Sequence, residues 1–134
     1  MKFSISTKGF TDIIDITQRV QKIVDKFDVK EGICLVSCPG STSGITTIEH
    51  EDGLVKDLKM VLDKIIPQSK DYEHCKKWGD CNGYAHIRSA LIPPFLAVPI
   101  EHGKLALGTW QQIVFIDFDN RPRQREILVK IIQS

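Results

Sequence analysis

The part of the chain that most constrains the fold runs from Phe95 to Ser134 and reads almost entirely as β. FLAVPI, KLALGTWQQIVFIDFD and REILVKII follow one another, with a turn at His102-Gly103 and another from Asn120 to Arg123. Their Val, Ile, Leu and Phe side chains suit a pleated, half-buried surface. The N-terminal part also opens on strands. KFSIS places Phe3 and Ile5 on one face, TKG turns the chain, and a second short strand follows. Thr17 is predicted to cap a helix whose apolar stripe is Val20, Ile23, Val24 and Phe27, at i, i+3, i+4 and i+7.

The middle of the chain is helical. GICLVSC reads as a buried strand, PGSTSG breaks it, and ITTI resumes as another. A second helix starts near Glu51 or Asp52, with acids in its first turn, and buries Leu54, Leu58, Val61, Leu62 and Ile65 until Pro67 ends it. Tyr72–Trp78 reads as irregular, and Asn82 starts a short helix, GYAHIRSAL, that Pro93 and Pro94 stop. Roughly seven or eight strands and about three helices result. Strands lead, helices sit in the middle and strands close the chain, an order that predicts α+β with a mostly antiparallel sheet rather than a repeating βαβ fold.

At 134 residues the chain has the length of one domain, 1–134. A net charge of +1 shows no basic excess and points away from nucleic acid. No apolar run approaches a membrane span, and MKFSISTKGF lacks a signal-peptide pattern, so the expected compartment is the cytoplasm. Thiols are normally reduced there, which predicts free or metal-bound cysteines rather than paired ones. Cys34 and Cys38 are read as small buried hydrophobes within their strand-like run.

Several polar constellations could carry chemistry. Tyr72–Arg88 holds His74, His86, Cys75, Cys81, Asn82 and Arg88. A structural zinc module wants close cysteine pairs, and the Cys75–Cys81 spacing without a second pair does not fit one. His74 and His86 could instead serve a catalytic metal with an open position, or be a surface residue and a satisfied helix residue. Asn82 and His86, four apart, share a helix face, and Arg88 lies off it. Ser41, Thr42 and Ser43 sit beside Gly40 and Gly44, either an anion-holding loop or a plain turn. Glu49 closes a strand, and Asp57 is either a buried acid or a solvated one. Trp110 and Gln111 in LGTWQQ offer an aromatic wall and an amide, or a core tryptophan. Arg121, Arg123 and Arg125 in DNRPRQR could hold phosphate bidentately or form a solvated hairpin tip.

Taken in order, STSGITTIEHEDGLVKD, YEH, NGYAHIR, GKLALGTWQQI and the RPRQR turn resemble the YjbQ family, small proteins described as secondary thiamine-phosphate synthases. The resemblance implies a compact α+β unit with a β-rich sandwich. It also implies homotrimers, sometimes doubled to hexamers, with polar pockets between subunits. The motif acids fall on Glu49 and Asp57, the histidines on His74 and His86, the amide on Asn82, the Trp-Gln pair on Trp110 and Gln111, and the arginine turn on Arg121 and Arg123. The implied activity joins a pyrimidine diphosphate to a thiazole phosphate, with pyrophosphate leaving, which makes a phosphorylated small molecule the partner. A divalent metal, zinc or magnesium, or arginines such as Arg88, would neutralise the diphosphate. The chain departs from the pattern at Ser41 and Tyr84, where relatives carry histidines, so a three-histidine metal set loses a member.

Overall fold

A computed structural model describes residues 1–134. It has eight strands and four helices: β1 (Lys2–Thr7), β2 (Asp12–Asp15), α1 (Thr17–Phe27), β3 (Gly32–Ser37), β4 (Ser43–Ile48), α2 (Asp52–Ile65), α3 (Glu73–Trp78), α4 (Gly83–Leu91), β5 (Phe95–Glu101), β6 (Lys104–Leu105), β7 (Gln112–Asp117) and β8 (Arg123–Gln133). One sheet has the order β1-β8-β3-β5-β6 and the other β2-β7-β4, and every pairing is antiparallel. The α+β, sandwich-like expectation holds. No helix is long and apolar enough to cross a membrane.

Strand β7 organises the packing. Ile113 and Phe115 join a core with Ile5, Val36, Val98, Ile127 and the α1 residues Val20 and Val24. Val114 and Ile116, pointing the other way, join Ile13, Leu62, Ile66, Tyr84 and Ala85. A strand buried on both faces needs a continuous apolar run, which is what Ile113–Ile116 supplies. The result is a layered body: large sheet with α1, small sheet, then α2 and α4.

Several local expectations are corrected. Thr17 is the first helical residue rather than the cap. Its hydroxyl donates to Asp15 and accepts from the Ile113 N–H, tying α1 to β7. Phe27 ends α1 and is half exposed, because the chain turns left-handed at Asp28. On α2 the inward line is Val55, Leu58, Leu62 and then Ile66. Leu54 is only half-buried, and Val61 and Ile65 face outward, since α2 covers the second core with a narrow edge. The helix does start where expected, with the Glu51 carboxylate accepting from Gly53 and Leu54 N–H.

Tyr72–Trp78, expected to be irregular, contains α3, a fourth helix too short to show an apolar period. Left-handed Gly79 ends it, its N–H bonding back to the Cys75 carbonyl. KLALGTWQQIVFIDFD is broken by a tight turn in which Gly108 and Gln111 bond each other, so Thr109 and Trp110 lie outside the sheet. Cys34 and Cys38 are buried and free, as expected. Cys75 and Cys81 form a disulfide, contrary to the expectation of unpaired thiols. They meet because α3 and its glycine turn double the chain back on itself.

Candidate functional site

Helices α3 and α4 bring two imidazoles together. The His74 and His86 rings lie 4.6 Å apart, centre to centre, tilted by 43°. The approach depends on Gly83, where a side-chain Cβ would come within 3.2 Å of the His74 Cβ. His74 Nδ1 is buried without a hydrogen-bond partner. Asp80 Oδ1 stands 3.4 Å from it, close enough for ion pairing but not aligned as a bond. Asn82 flanks α4 at its start, as predicted, but its side chain does not cap the helix. Its amide lies between Asp80 and Asp119, and with its nitrogen toward Asp80 it donates to that carboxylate at 3.2 and 3.3 Å. The Cys75–Cys81 disulfide adjoins both His74 and Asn82 in sequence, so it closes the loop that carries this cluster.

Behind the cluster lies a buried charge network. Asp117 accepts from Arg125 Nε at 2.8 Å, from Arg125 Nη2 at 2.9 Å and from the Thr7 hydroxyl at 2.6 Å. Arg125 also donates to Thr42 Oγ1, which donates to Asp119. Asp119 in turn accepts from Arg123 Nε and from the Asn120 N–H. Asp117 is 0% and Asp119 1% exposed. Burial pushes the Asp119 carboxyl up, but the Arg123 and Asn120 hydrogen bonds and the Arg123 charge outweigh it and hold it below the ordinary carboxylate range. The Asp117 hydrogen bond is the main cause that raises the Arg125 guanidinium pKa, against burial.

This network changes the arginine expectation. Arg123 and Arg125 are engaged by Asp119 and Asp117 rather than free for phosphate. Arg121 is exposed and pairs with no carboxylate. Arg88 is 1% exposed and its guanidinium bonds Ile66, Thr11 and Asp63, so it faces a different wall from His86 and is not a phosphate clamp in the histidine cluster. Thr42 and Ser43 are buried; the Thr42 hydroxyl belongs to the network and the Ser43 carbonyl accepts from Ser89. Gly40 and Ser41 remain exposed, whereas neither the Thr42 nor the Ser43 side chain faces solvent.

The other motif residues lie at the opposite end of the small sheet. Ser43 pairs with Asp117 near the histidines, whereas Ile48 pairs with Gln112 at the far end of β4, about 17 Å away along the strand. Gln111 bonds Thr47 there, Glu49 follows exposed, and Trp110 is 73% exposed rather than a core residue. Asp57 lies on the exposed face of α2. One chain therefore does not unite Glu49, Asp57, Trp110 and Gln111 with His74, His86 and Asn82. Tyr84 is on the far side of α4 from His86.

The donor set limits metal binding. Two imidazoles suit zinc better than magnesium, which prefers oxygen. No group of three or more His, Cys, Asp or Glu in the chain gathers to hold an ion. The chain thus offers two of the three protein ligands of a catalytic zinc site and no complete set.

The missed residues were Asp117, Asp119, Asp80 and the inward turn of Arg125. A signal existed: acids two apart in IVFIDFD and arginines two apart in RPRQR share one face of adjoining β segments.

The fold and this site define a small two-sheet α+β protein with a histidine pair on neighbouring short helices. The family model described as UPF0047 protein YjbQ-like matches residues 1–134, and the chain belongs to that family. A UPF0047 protein of Archaeoglobus fulgidus is 38% identical, covering 98% of this chain and 100% of that protein. The UPF0047 protein YugU of Bacillus subtilis is 33% identical over 96% of this chain and 95% of its own. A crystal structure from Sulfolobus solfataricus, described as a YbjQ-like protein of unknown function, superposes with a TM-score of 0.93 at 32% identity, covering 100% of this chain and 96% of that one. An uncharacterized conserved YjbQ/UPF0047 protein of Clostridium acetobutylicum gives 0.89 at 39% identity, over 98% and 99%.

Proposed function

We propose that the chain is an enzyme of thiamine-phosphate synthase type that binds a phosphorylated small molecule beside His74 and His86. The observation that supports this reading is the histidine pair itself. His74 Nδ1 is buried with no hydrogen-bond partner, and a second imidazole sits 4.6 Å away, ring to ring. An imidazole can take a proton on one ring nitrogen and give one from the other. In this reading His86 is the acid–base residue, Asn82 positions the substrate, and exposed Arg121 is the arginine available to phosphate.

The working form is a homotrimer, or a hexamer of two trimers, in the cytoplasm. The outer face of the large sheet supports assembly. Ile33 pairs across strands with Pro99 and Ile132, and Phe95 lies on the same face. Ile33, Ile132 and Phe95 are 47, 63 and 57% exposed, an apolar patch of the kind interfaces cover. A neighbouring subunit is also what would bring Glu49, Trp110 and Gln111 of one chain to the histidines of another.

The test is turnover by His86→Ala on a panel of phosphorylated metabolites that includes the pyrimidine diphosphate and thiazole phosphate. Loss of turnover with an unchanged thermal midpoint is expected, and surviving activity refutes the assignment. A sedimentation mass near the 15.2 kDa protomer refutes the shared pocket.

A second reading is a non-catalytic anion- or metal-binding oligomer, supported by the shortage of free cations to neutralise a leaving diphosphate once Arg123 and Arg125 are engaged by internal carboxylates. Binding of zinc or phosphate without turnover of any panel member would select it.

A further inference from the structure

Helix α4 has a second polar face. Tyr84 and Arg88 stand one turn apart, and about 200° of helix separates Tyr84 from His86. Both Tyr84 and Arg88 are 1% exposed. They line a cavity of about 230 Å³ with Thr11, Lys59, Asp63 and Gln68. Its size suits a small ion better than an organic cofactor. The neighbouring Phe10 and Thr11 are both left-handed, with φ of 52° and 64°, and their N–H groups are pinned to the Asp119 and Asp117 carbonyls. Such conformations are kept only where surrounding structure enforces them.

Donors outnumber acceptors in the cavity. Arg88 Nε and Nη2 donate to the Ile66 carbonyl at 3.1 and 2.7 Å, Nη2 also to Asp63 at 3.0 Å, and Nη1 to Thr11 Oγ1 at 2.8 Å. A guanidinium has five N–H groups, so one on Nη1 is left. Thr11 Oγ1 accepts from Arg88, which leaves its own proton to donate. The Tyr84 hydroxyl is buried with no hydrogen-bond partner. Burial pushes its pKa up to about 12, so it keeps its proton. Lys59 adds a cation, while Asp63, the lining carboxylate, is already paired with Arg88. The cavity therefore offers spare donors and a net positive charge, with the Gln68 amide oxygen and the second Asp63 oxygen as its acceptors.

We infer that this cavity binds a small oxyanion of the size of inorganic phosphate, held by the Tyr84 hydroxyl, the remaining Arg88 N–H and Lys59. It is separate from the histidine cluster, which lies across α4. A small carboxylate shares the same chemistry, and acetate tests that source.

The experiment is calorimetric titration of the full chain with inorganic phosphate, and separately acetate, at constant ionic strength. The doubly substituted His86→Ala, Arg121→Ala chain is the background, so that an anion held beside the histidines is not counted. Adding Tyr84→Phe should weaken binding about tenfold, since a hydrogen bond to a charged group is removed while the ring stays. Lys59→Met should weaken it as well. Tighter binding of phosphate than acetate assigns the site to phosphate, and the reverse order assigns it to small carboxylates. Equal affinity with and without the Tyr84 hydroxyl overturns the inference. Heat from neither anion also overturns it, because the hydroxyl is then served by solvent alone.

Discussion

Asp117→Asn tests whether the buried network holds the two ends of the fold together. Asp117 Oδ2 accepts from Thr7 and Arg125 Nε, and Oδ1 from Arg125 Nη2 and the Asp119 N–H. An asparagine keeps one oxygen and turns an NH2 group toward donors on the other side. Two hydrogen bonds are lost and the 9% exposed Arg125 loses its main counter-charge. Breaking a buried ion pair in this way costs about 3–5 kcal/mol. For a chain of this length that corresponds to a fall of about 10–18 °C in thermal midpoint. Urea and thermal unfolding at one fixed protein concentration measure it, since assembly would otherwise shift the midpoint. Glu126→Gln is the control. It removes the exposed Lys2–Glu126 pair and should change stability by about 0.5 kcal/mol or less. Combining Asp117→Asn with Arg125→Met removes both charges and should destabilise less than the two single changes summed. A loss below about 1 kcal/mol for Asp117→Asn would refute the network as a source of stability.

Asp119 gives a pH prediction. Its folded pKa lies below the unfolded value, so its stabilisation is present above about pH 4 and is lost as pH falls through the folded pKa. Stability of the wild type should decline below about pH 4, and Asp119→Asn should flatten that decline; an unaltered acid limb would count against it. The cysteines give another. Denatured but unreduced protein should expose two reactive thiols, Cys34 and Cys38, and four would rule out the Cys75–Cys81 bond. Native protein should react slowly even at pH 8, because burial pushes the Cys34 thiol to about 11. Replacing Cys75 and Cys81 together by serine should cost about 2 kcal/mol, the chain-entropy value for so short a loop, measured by urea unfolding.

Much of the architecture was legible because its cause is local. Alternation in KFSIS, the Val20–Ile23–Val24 stripe, the acid-led start of α2 and the Asn82 start of α4 each depend on residues within a turn or two. The continuous apolar run of β7 also showed in the sequence, but why it is continuous did not. That required two cores, one on each side of the strand. The facing of α2 failed for the same reason: Leu54, Leu58, Val61 and Leu62 are alike to a periodicity argument, and only the narrow edge it covers decides which are buried.

The candidate site divides in the same way. The sequence by itself determined which residue types were present, and its motifs already set His74, Asn82 and His86 apart. Tertiary structure decided what they meet. The Thr7 hydroxyl reaches Asp117 across 110 residues of chain, and Arg125 reaches Thr42 across 83. Those partners turn an apparent phosphate-binding arginine turn into an internal ion-pair network. Arg88 was one more basic side chain until Ile66, Thr11 and Tyr84 closed around it. Charge and hydrogen-bonding capacity belong to a residue and can be read in order along the chain. Whether they are spent inside the fold or left for a ligand depends on burial and on partners far away in sequence, which only the folded chain brings together.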